Sequence, residues 1–218
     1  MTIFNNPSSF SANSASETIA VGRLLRASAA GCVVGCRVSQ VNAPSLGGMV
    51  RIPLDDQNRN QTYGLIYDIN IDDDGLVRQL ITSDHVDPNI ILDNRINRNV
   101  PVEISVLFMG YEQNGEIFHL LPPRPPLTLD EIFLCSDSDL CRFTSGGHLG
   151  YFRHILREAD LPVGELLASH LRQAHAAQNN AGHPEWIEKA TQELITLLRD
   201  DYPTLMSVLG ALSDARIQ

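Results

Sequence analysis

The hydrophobic pattern of this 218-residue chain changes its period near residue 145, and that change limits the fold more than any other feature. Before it, short apolar runs alternate with polar residues and are separated by turn residues, as in the strands of a barrel or sandwich. After it, apolar residues recur at helical spacing. We therefore predict an α+β protein in which a small antiparallel β-barrel comes first and about four helices follow.

The same pattern divides the chain into three segments. Residues 1–17 are rich in Ser and Asn and show no period, which predicts a disordered tail. Residues 18–145 are expected to form the β-domain, and residues 146–218 the helical domain, with Ser145-Gly146-Gly147 at the boundary. Four sets of apolar residues predict the helices, and they begin at Leu149, Val163, Ile187 and Leu205.

The basic residues exclude one large class of proteins. Of the 16 basic residues 15 are arginine, and the single lysine, Lys189, lacks the glycine-rich loop that a phosphate-binding P-loop needs. A net charge of −10 argues against direct binding to nucleic acid, which requires a basic surface. No apolar run is long enough for a membrane span, and no signal-peptide pattern is visible at Met1. We expect a cytoplasmic protein with no cofactor and no membrane contact.

The cysteines do not form a metal-binding or disulfide pattern. Cys32 and Cys36 are four residues apart, and Cys135 and Cys141 are six apart, so neither pair is a C-x-x-C motif. On one strand, Cys32 and Cys36 would face the same side. We predict that they are buried thiols that pack like small hydrophobic residues.

Six short segments of residues 18–145 occur in an order that is found in one family. They are Gly22-Arg23-Leu24-Leu25, Leu46-Gly47-Gly48-Met49-Val50-Arg51-Ile52, Tyr63-Gly64-Leu65-Ile66-Tyr67-Asp68-Ile69, Val106-Leu107-Phe108-Met109-Gly110-Tyr111, Pro122-Pro123-Arg124-Pro125-Pro126 and Glu131-Ile132-Phe133-Leu134-Cys135. In this order they resemble the HAS barrel, a small β-barrel that HerA-type hexameric DNA-translocating ATPases share with the catalytic subunits of ATP synthase.

This resemblance implies a role in assembly. In HerA-type ATPases the barrel leads into a P-loop motor, whereas here it leads into predicted helices, so ATP hydrolysis does not carry over. What the resemblance still implies is oligomer assembly and the docking of partners. We therefore expect a non-enzymatic module with a protein partner. That partner would be a second copy of the chain or a HerA-type ring ATPase involved in DNA translocation.

A proline-rich run supplies the candidate interaction residues, Pro122, Pro123, Arg124 and Pro125. Proline fixes φ and restricts the residue before it, so this run must be extended. As a polyproline II segment it could dock on an aromatic groove. It could equally cross the outer face of the barrel in a purely structural role.

Two other functions remain open from the sequence. Clustered carboxylates suit hard cations, so Asp72, Asp74, Asp84 and His85 are candidate ligands of a metal-dependent hydrolase that would also use Asp73. The acidic run does not fit an EF-hand, because no register has both the required glycine and the terminal glutamate. A third hypothesis is a small-ligand sensor in a cleft between the barrel and the helices.

Overall fold

The computed structural model describes residues 19–36, 44–55, 57, 59–73, 75–96, 101–146, 148–158 and 161–217. Its strands are β1 (Ala20–Ala27), β2 (Gly31–Cys36), β3 (Met49–Pro53), β4 (Asn60–Asn70), β5 (Val102–Gln113), β6 (Glu116–Phe118) and β7 (Glu131–Leu134). Its helices are α1 (Leu76–Ile81), α2 (Pro88–Ile96), α3 (Asp137–Thr144), α4 (Phe152–Leu156), α5 (Val163–Asn180), α6 (Trp186–Leu197) and α7 (Tyr202–Asp214). The predicted tail at residues 1–17 lies outside the described residues.

Six of the strands form a closed antiparallel barrel. Their order is β2-β1-β7-β3-β4-β5, and pairing between β2 and β5 closes the sheet, with a register that runs from Gly31↔Leu107 to Cys36↔Val102. Strand β6 pairs with β5 and extends the sheet beyond the barrel. The prediction of a small antiparallel β-barrel in an α+β fold is therefore confirmed.

Alternation along the strands separates two hydrophobic cores. All six barrel strands contribute to one buried cluster, which therefore fills the barrel interior: Val21, Leu24, Cys32, Val34, Cys36, Val50, Ile52, Ile66, Val102, Ile104, Val106, Phe108 and Ile132. Intervening residues on β3, β4 and β5 point outward instead. Met49, Tyr63, Leu65, Leu107 and Met109 belong to a second cluster, whose other members lie on or beside the later helices. The helices thus cover the wall that β3, β4 and β5 form.

The second core runs across the predicted boundary at residues 145–147. On the barrel side it contains Tyr63, and on the helical side it contains Phe152 and Leu171, all fully buried. The ring centre of Phe143, just before the boundary, lies 4.8 Å from that of Tyr63, and the two rings are tilted by 44°. The division into a β-domain and a helical domain stays a prediction.

The helices are more numerous and begin earlier than the periodicity indicated. The four predicted sets fall on α4 to α7, but α3 precedes residue 145, and α1 and α2 lie between β4 and β5. The polar start of α3 hides its helical character, because Ser136 and Asp139 form a capping box there. Helix α1 follows Gly75, whose φ of 81° turns the chain away from a strand. The barrel is thus interrupted by helices rather than completed before them.

One turn has the geometry that its sequence predicts. Asn114 and Gly115 join β5 to β6 with φ values of 53° and 87°. Positive φ at both central residues is the requirement of a type I′ hairpin, which Asn-Gly satisfies best. Among the described residues, no helix is both long enough and apolar enough to cross a membrane.

Candidate interaction groove

The outer side of β1 and β7 lies away from the helical cover. Arg23 on β1 pairs across the sheet with Glu131 on β7, and Nη2 of Arg23 lies 2.5 Å from Oε1 of Glu131. Both side chains are at least half exposed. Leu25 of β1 is also exposed. A surface of the barrel thus remains open beside the wall that the helices bury.

A groove of about 720 Å³ lies on this open wall. Strand residues of β1, β3 and β7 line it together with the loop after β3 and the loop before β7. The lining consists of Arg23, Pro53, Leu54, Asp55, Arg124, Pro125, Pro126, Leu127, Leu129, Asp130, Glu131 and Phe133. The lining is mixed, with five charged residues beside seven apolar ones, and the volume lies within the usual range of binding sites.

Hydrogen bonds fix the turn at residues 127–130, which forms one side of the groove. The backbone N–H of Leu129 donates to the carbonyl of Leu24 at 2.8 Å, and Leu24 N–H donates to the carbonyl of Asp130 at 3.0 Å. The Asp130 carboxylate accepts from Leu127 N–H at 2.8 Å, and Arg23 Nη1 donates to the Leu129 carbonyl at 3.0 Å. A fifth hydrogen bond, from Asp130 N–H to the Leu127 carbonyl at 3.2 Å, closes the turn itself.

This hydrogen-bonded turn exposes two leucines to solvent. Leu127 is 74% exposed and Leu129 is 64% exposed, although both are large and apolar. The φ of Leu129 is 73°, a left-handed conformation that a bulky residue adopts only at a cost. Such strain persists where surrounding structure enforces it, and it concentrates at functional sites. Leu127 and Leu129 thus form an exposed apolar pair at one side of the groove.

The proline run lies directly before this turn. Pro122 and Pro126 are buried, whereas Pro123, Arg124 and Pro125 are exposed. The chain bends at Pro123 and Arg124, so the run is not one straight polyproline II helix. Its two ends thus anchor the loop to the barrel, and its centre borders the groove. Docking through Pro122, Pro123, Arg124 and Pro125 stays a prediction.

Arg51 lies between the open groove and the helical cover. Its Nε atom lies 3.4 Å from Oδ2 of Asp139 on α3, and its guanidinium lies 5.3 Å from the centre of the Phe133 ring. Phe133 in turn lines the groove. The contact therefore joins α3 to the groove lining and holds the Phe133 ring by a cation–π interaction.

A buried polar cluster also joins α3 to the barrel. The Glu112 carboxylate accepts hydrogen bonds from Gln61 Nε2 at 2.5 Å and from Tyr63 Oη at 2.9 Å, and it pairs with Arg142 at 2.5 Å. Burial raises the pKa of this carboxyl, but the three hydrogen-bond donors outweigh it and hold the pKa below the ordinary value. Sequence reasoning missed this cluster, because its members meet only through the register Gln61↔Glu112 and the packing of Arg142 on α3 against the barrel.

The acidic segment does not show a metal site in the described residues. Asp73 accepts from Gly75 N–H at 2.9 Å and pairs with Arg78, and Asp72 accepts from the Asn70 amide at 3.2 Å. Within the described ranges, no three His, Cys, Asp or Glu side chains are placed to hold a metal ion. Asp84 and His85 lie in the loop between α1 and α2, and Asp74 lies outside the described residues. The metal-dependent hydrolase stays an untested hypothesis.

The cleft between the barrel and the helices is largely filled. A cavity of about 320 Å³ remains beside α4, where Glu158 faces barrel residues such as Arg26, Cys32 and Tyr67. This is the place where the hypothetical small-ligand sensor would bind, and nothing in its lining selects a ligand. Cys32 and Cys36 are buried, as predicted, and burial raises their pKa values to about 12 and about 11.

Comparison with protein-family models and with curated proteins gives no match for this chain.

Proposed function

We propose that the chain is a non-enzymatic assembly module that binds a protein partner through the groove at residues 124–131. The observation that supports this is the turn that presents Leu127 and Leu129. Five hydrogen bonds hold it, one leucine has an unfavourable backbone conformation, and both side chains face solvent. The two exposed side chains add little to the core of the protein, whereas their burial against a partner would stabilise a complex.

The partner that we propose is a HerA-type hexameric ATPase or a second copy of this chain. The closed six-stranded barrel supports the proposal at the level of fold, because five of the segments that resemble the HAS barrel fall on β1, β3, β4, β5 and β7. The chain's covering helices and its lack of a P-loop motif suggest a protein that joins or regulates such a ring. In this role the module contributes an interface and no covalent chemistry.

The test compares partners captured from the native cells by three tagged forms of the full chain. These are the wild type, the variant Leu127→Ser/Leu129→Ser, and the control Ile195→Ser/Leu197→Ser, which removes two exposed apolar side chains from α6. We expect the wild type and the control to enrich a ring ATPase and the groove variant to lose it at least tenfold. Equal recovery of the same partners by all three forms would refute a role for the groove. Purified ATPase and purified chain must then form the same complex.

A further inference from the structure

The groove lies close to the place where the described part of the chain begins. The carbonyl of Ile19 accepts a hydrogen bond from Leu134 N–H at 2.9 Å, and the next residue, Ala20, pairs with Phe133. Phe133 lines the groove. Arg23, also in the lining, is three residues further along β1, a distance of about 10 Å. Residues 1–18 therefore join the barrel at one side of the groove.

The composition of this preceding segment matches the groove. Residues 2–16 contain no charged side chain, although 19% of the whole chain is charged, and they include Ile3, Phe4 and Phe10. Four of the five charged side chains in the lining have partners within the fold: Glu131 pairs with Arg23, Asp130 accepts from Leu127 N–H, and Asp55 accepts two backbone N–H groups and the Asn60 amide. An uncharged segment with aromatic anchors is the kind of occupant that such a lining accepts.

The prolines of the groove favour aromatic anchors in particular. Pro53 and Pro125 line it together with the exposed leucines. Proline and aromatic rings are recurrent partners in peptide recognition. Phe10 is nine residues from Ile19, so it can reach up to about 30 Å, which exceeds the distance along β1 to Arg23. Because the segment is tethered, its effective concentration is in the millimolar range, and a weak contact suffices to fill the groove.

We propose that residues 1–18 of the same chain occupy this groove, with Phe10 packed against the prolines and the leucines of the turn. The inference rests on the proposed function, since it concerns the same surface. It adds that the surface has an internal occupant, which a partner must displace. The N-terminal segment then acts as a competitor that sets how much of the protein is open for assembly.

Photo-crosslinking in the full chain tests this directly. A p-benzoyl-phenylalanine is introduced at position 10, and in a control at position 202, where Tyr202 is exposed on α7. We expect the probe at position 10 to react within one chain, with peptides that contain residues 124–133, and the control to give no such product. The variant Leu127→Ser/Leu129→Ser should lose that crosslink. Crosslinks to other surfaces, crosslinks between two chains, or no crosslink would each overturn the proposal.

A second measurement remains informative if the probe disturbs the segment. Methyl resonances of Leu127 and Leu129 are compared in the wild type and in Phe4→Ser/Phe10→Ser, with Ser8→Ala/Ser9→Ala as the control. We expect both leucine resonances to shift in the phenylalanine variant alone, and unchanged resonances would overturn the inference. Recovery of the ring ATPase should rise in the phenylalanine variant. If the leucine resonances shift but no partner is recovered, only the proposed function is refuted. If a partner is recovered but neither the resonance shifts nor the crosslinks appear, only the inference about residues 1–18 is refuted.

Discussion

The Nη2 atom of Arg142 lies 2.5 Å from the Oε1 atom of Glu112, and this ion pair ties α3 to β5. Glu112 is 5% exposed, whereas Arg142 is half exposed. The pair therefore stabilises the contact between helix and barrel mainly by compensating a buried carboxylate, since an unpaired buried charge is costly.

Replacing the cation alone should therefore destabilise the protein more than replacing both partners. We expect Arg142→Met to lower the free energy of unfolding by about 2 kcal/mol, because Glu112 loses its charged partner. The double variant Arg142→Met/Glu112→Gln should recover part of that loss. A double-mutant cycle from urea unfolding measures the coupling. Additive effects of the two substitutions would show that the ion pair does not couple α3 to the barrel.

Leu129 should contribute little to folding, because its backbone conformation is unfavourable and its side chain is exposed. Asparagine tolerates the left-handed region better than leucine. We expect Leu129→Asn to leave the free energy of unfolding unchanged or to raise it by up to about 1 kcal/mol. The matched variant Leu127→Asn should change it by less than about 0.5 kcal/mol. A marked loss of stability in Leu129→Asn would mean that this leucine packs within the fold.

Two glycines provide a matched test of the barrel geometry. A Cβ atom at Gly22 would lie 2.3 Å from the backbone oxygen of Gly35 on the neighbouring strand, whereas a Cβ at Gly210 on α7 meets nothing within 4 Å. We expect Gly22→Ala to cost about 1–3 kcal/mol of stability, as overpacking does. Gly210→Ala should add about 0.5–1 kcal/mol, because alanine favours the helix. Thermal unfolding measures the stability of both variants. An unchanged stability in Gly22→Ala would contradict the close approach of β1 and β2.

Stability should fall on mild acidification because of buried His170. Its ring accepts or donates a hydrogen bond with Tyr151 Oη at 3.0 Å, and burial lowers its pKa to about 4. The ordinary pKa of about 6.5 applies to the unfolded chain, which therefore binds more protons between these two values. The contribution of neutral His170 to the free energy of unfolding is complete above pH 6.5 and is lost as the pH falls towards 4. Burial also lowers the pKa values of His119 and His154, so both act in the same direction.

The slope of stability against pH between 6.5 and 5 measures this effect. Each histidine that stays neutral in the fold contributes up to about 1.4 kcal/mol per pH unit. We expect His170→Gln to reduce the slope, whatever it does to the stability at pH 7. His183→Gln, at an exposed position, controls for the loss of an imidazole as such. An unaltered slope in His170→Gln would show that another group causes the acid sensitivity.

Local patterns predicted the strands, the Asn114-Gly115 hairpin and four of the helices, because alternation, turn preference and helical spacing are properties of neighbouring residues. These patterns did not predict helices whose apolar pattern is short or whose first turn is polar. Helix α3 begins with Asp137, Ser138 and Asp139, which resemble a loop until the capping box with Ser136 is seen. Helices α1 and α2 lie in a segment whose apolar residues do not recur on one helical face.

The sequence by itself determined that this chain has a β-rich part and a helical part, that Cys32 and Cys36 are buried, and that it lacks a P-loop motif. Only the tertiary structure decided which wall of the barrel the helices cover. That wall depends on register, because Met49, Tyr63 and Leu107 meet the helices only after β3, β4 and β5 have paired. The position of Leu127 and Leu129 also depends on the tertiary structure. Hydrogen bonds to Leu24 and Arg23, which are distant in sequence, hold their turn on the barrel wall that the helices do not cover.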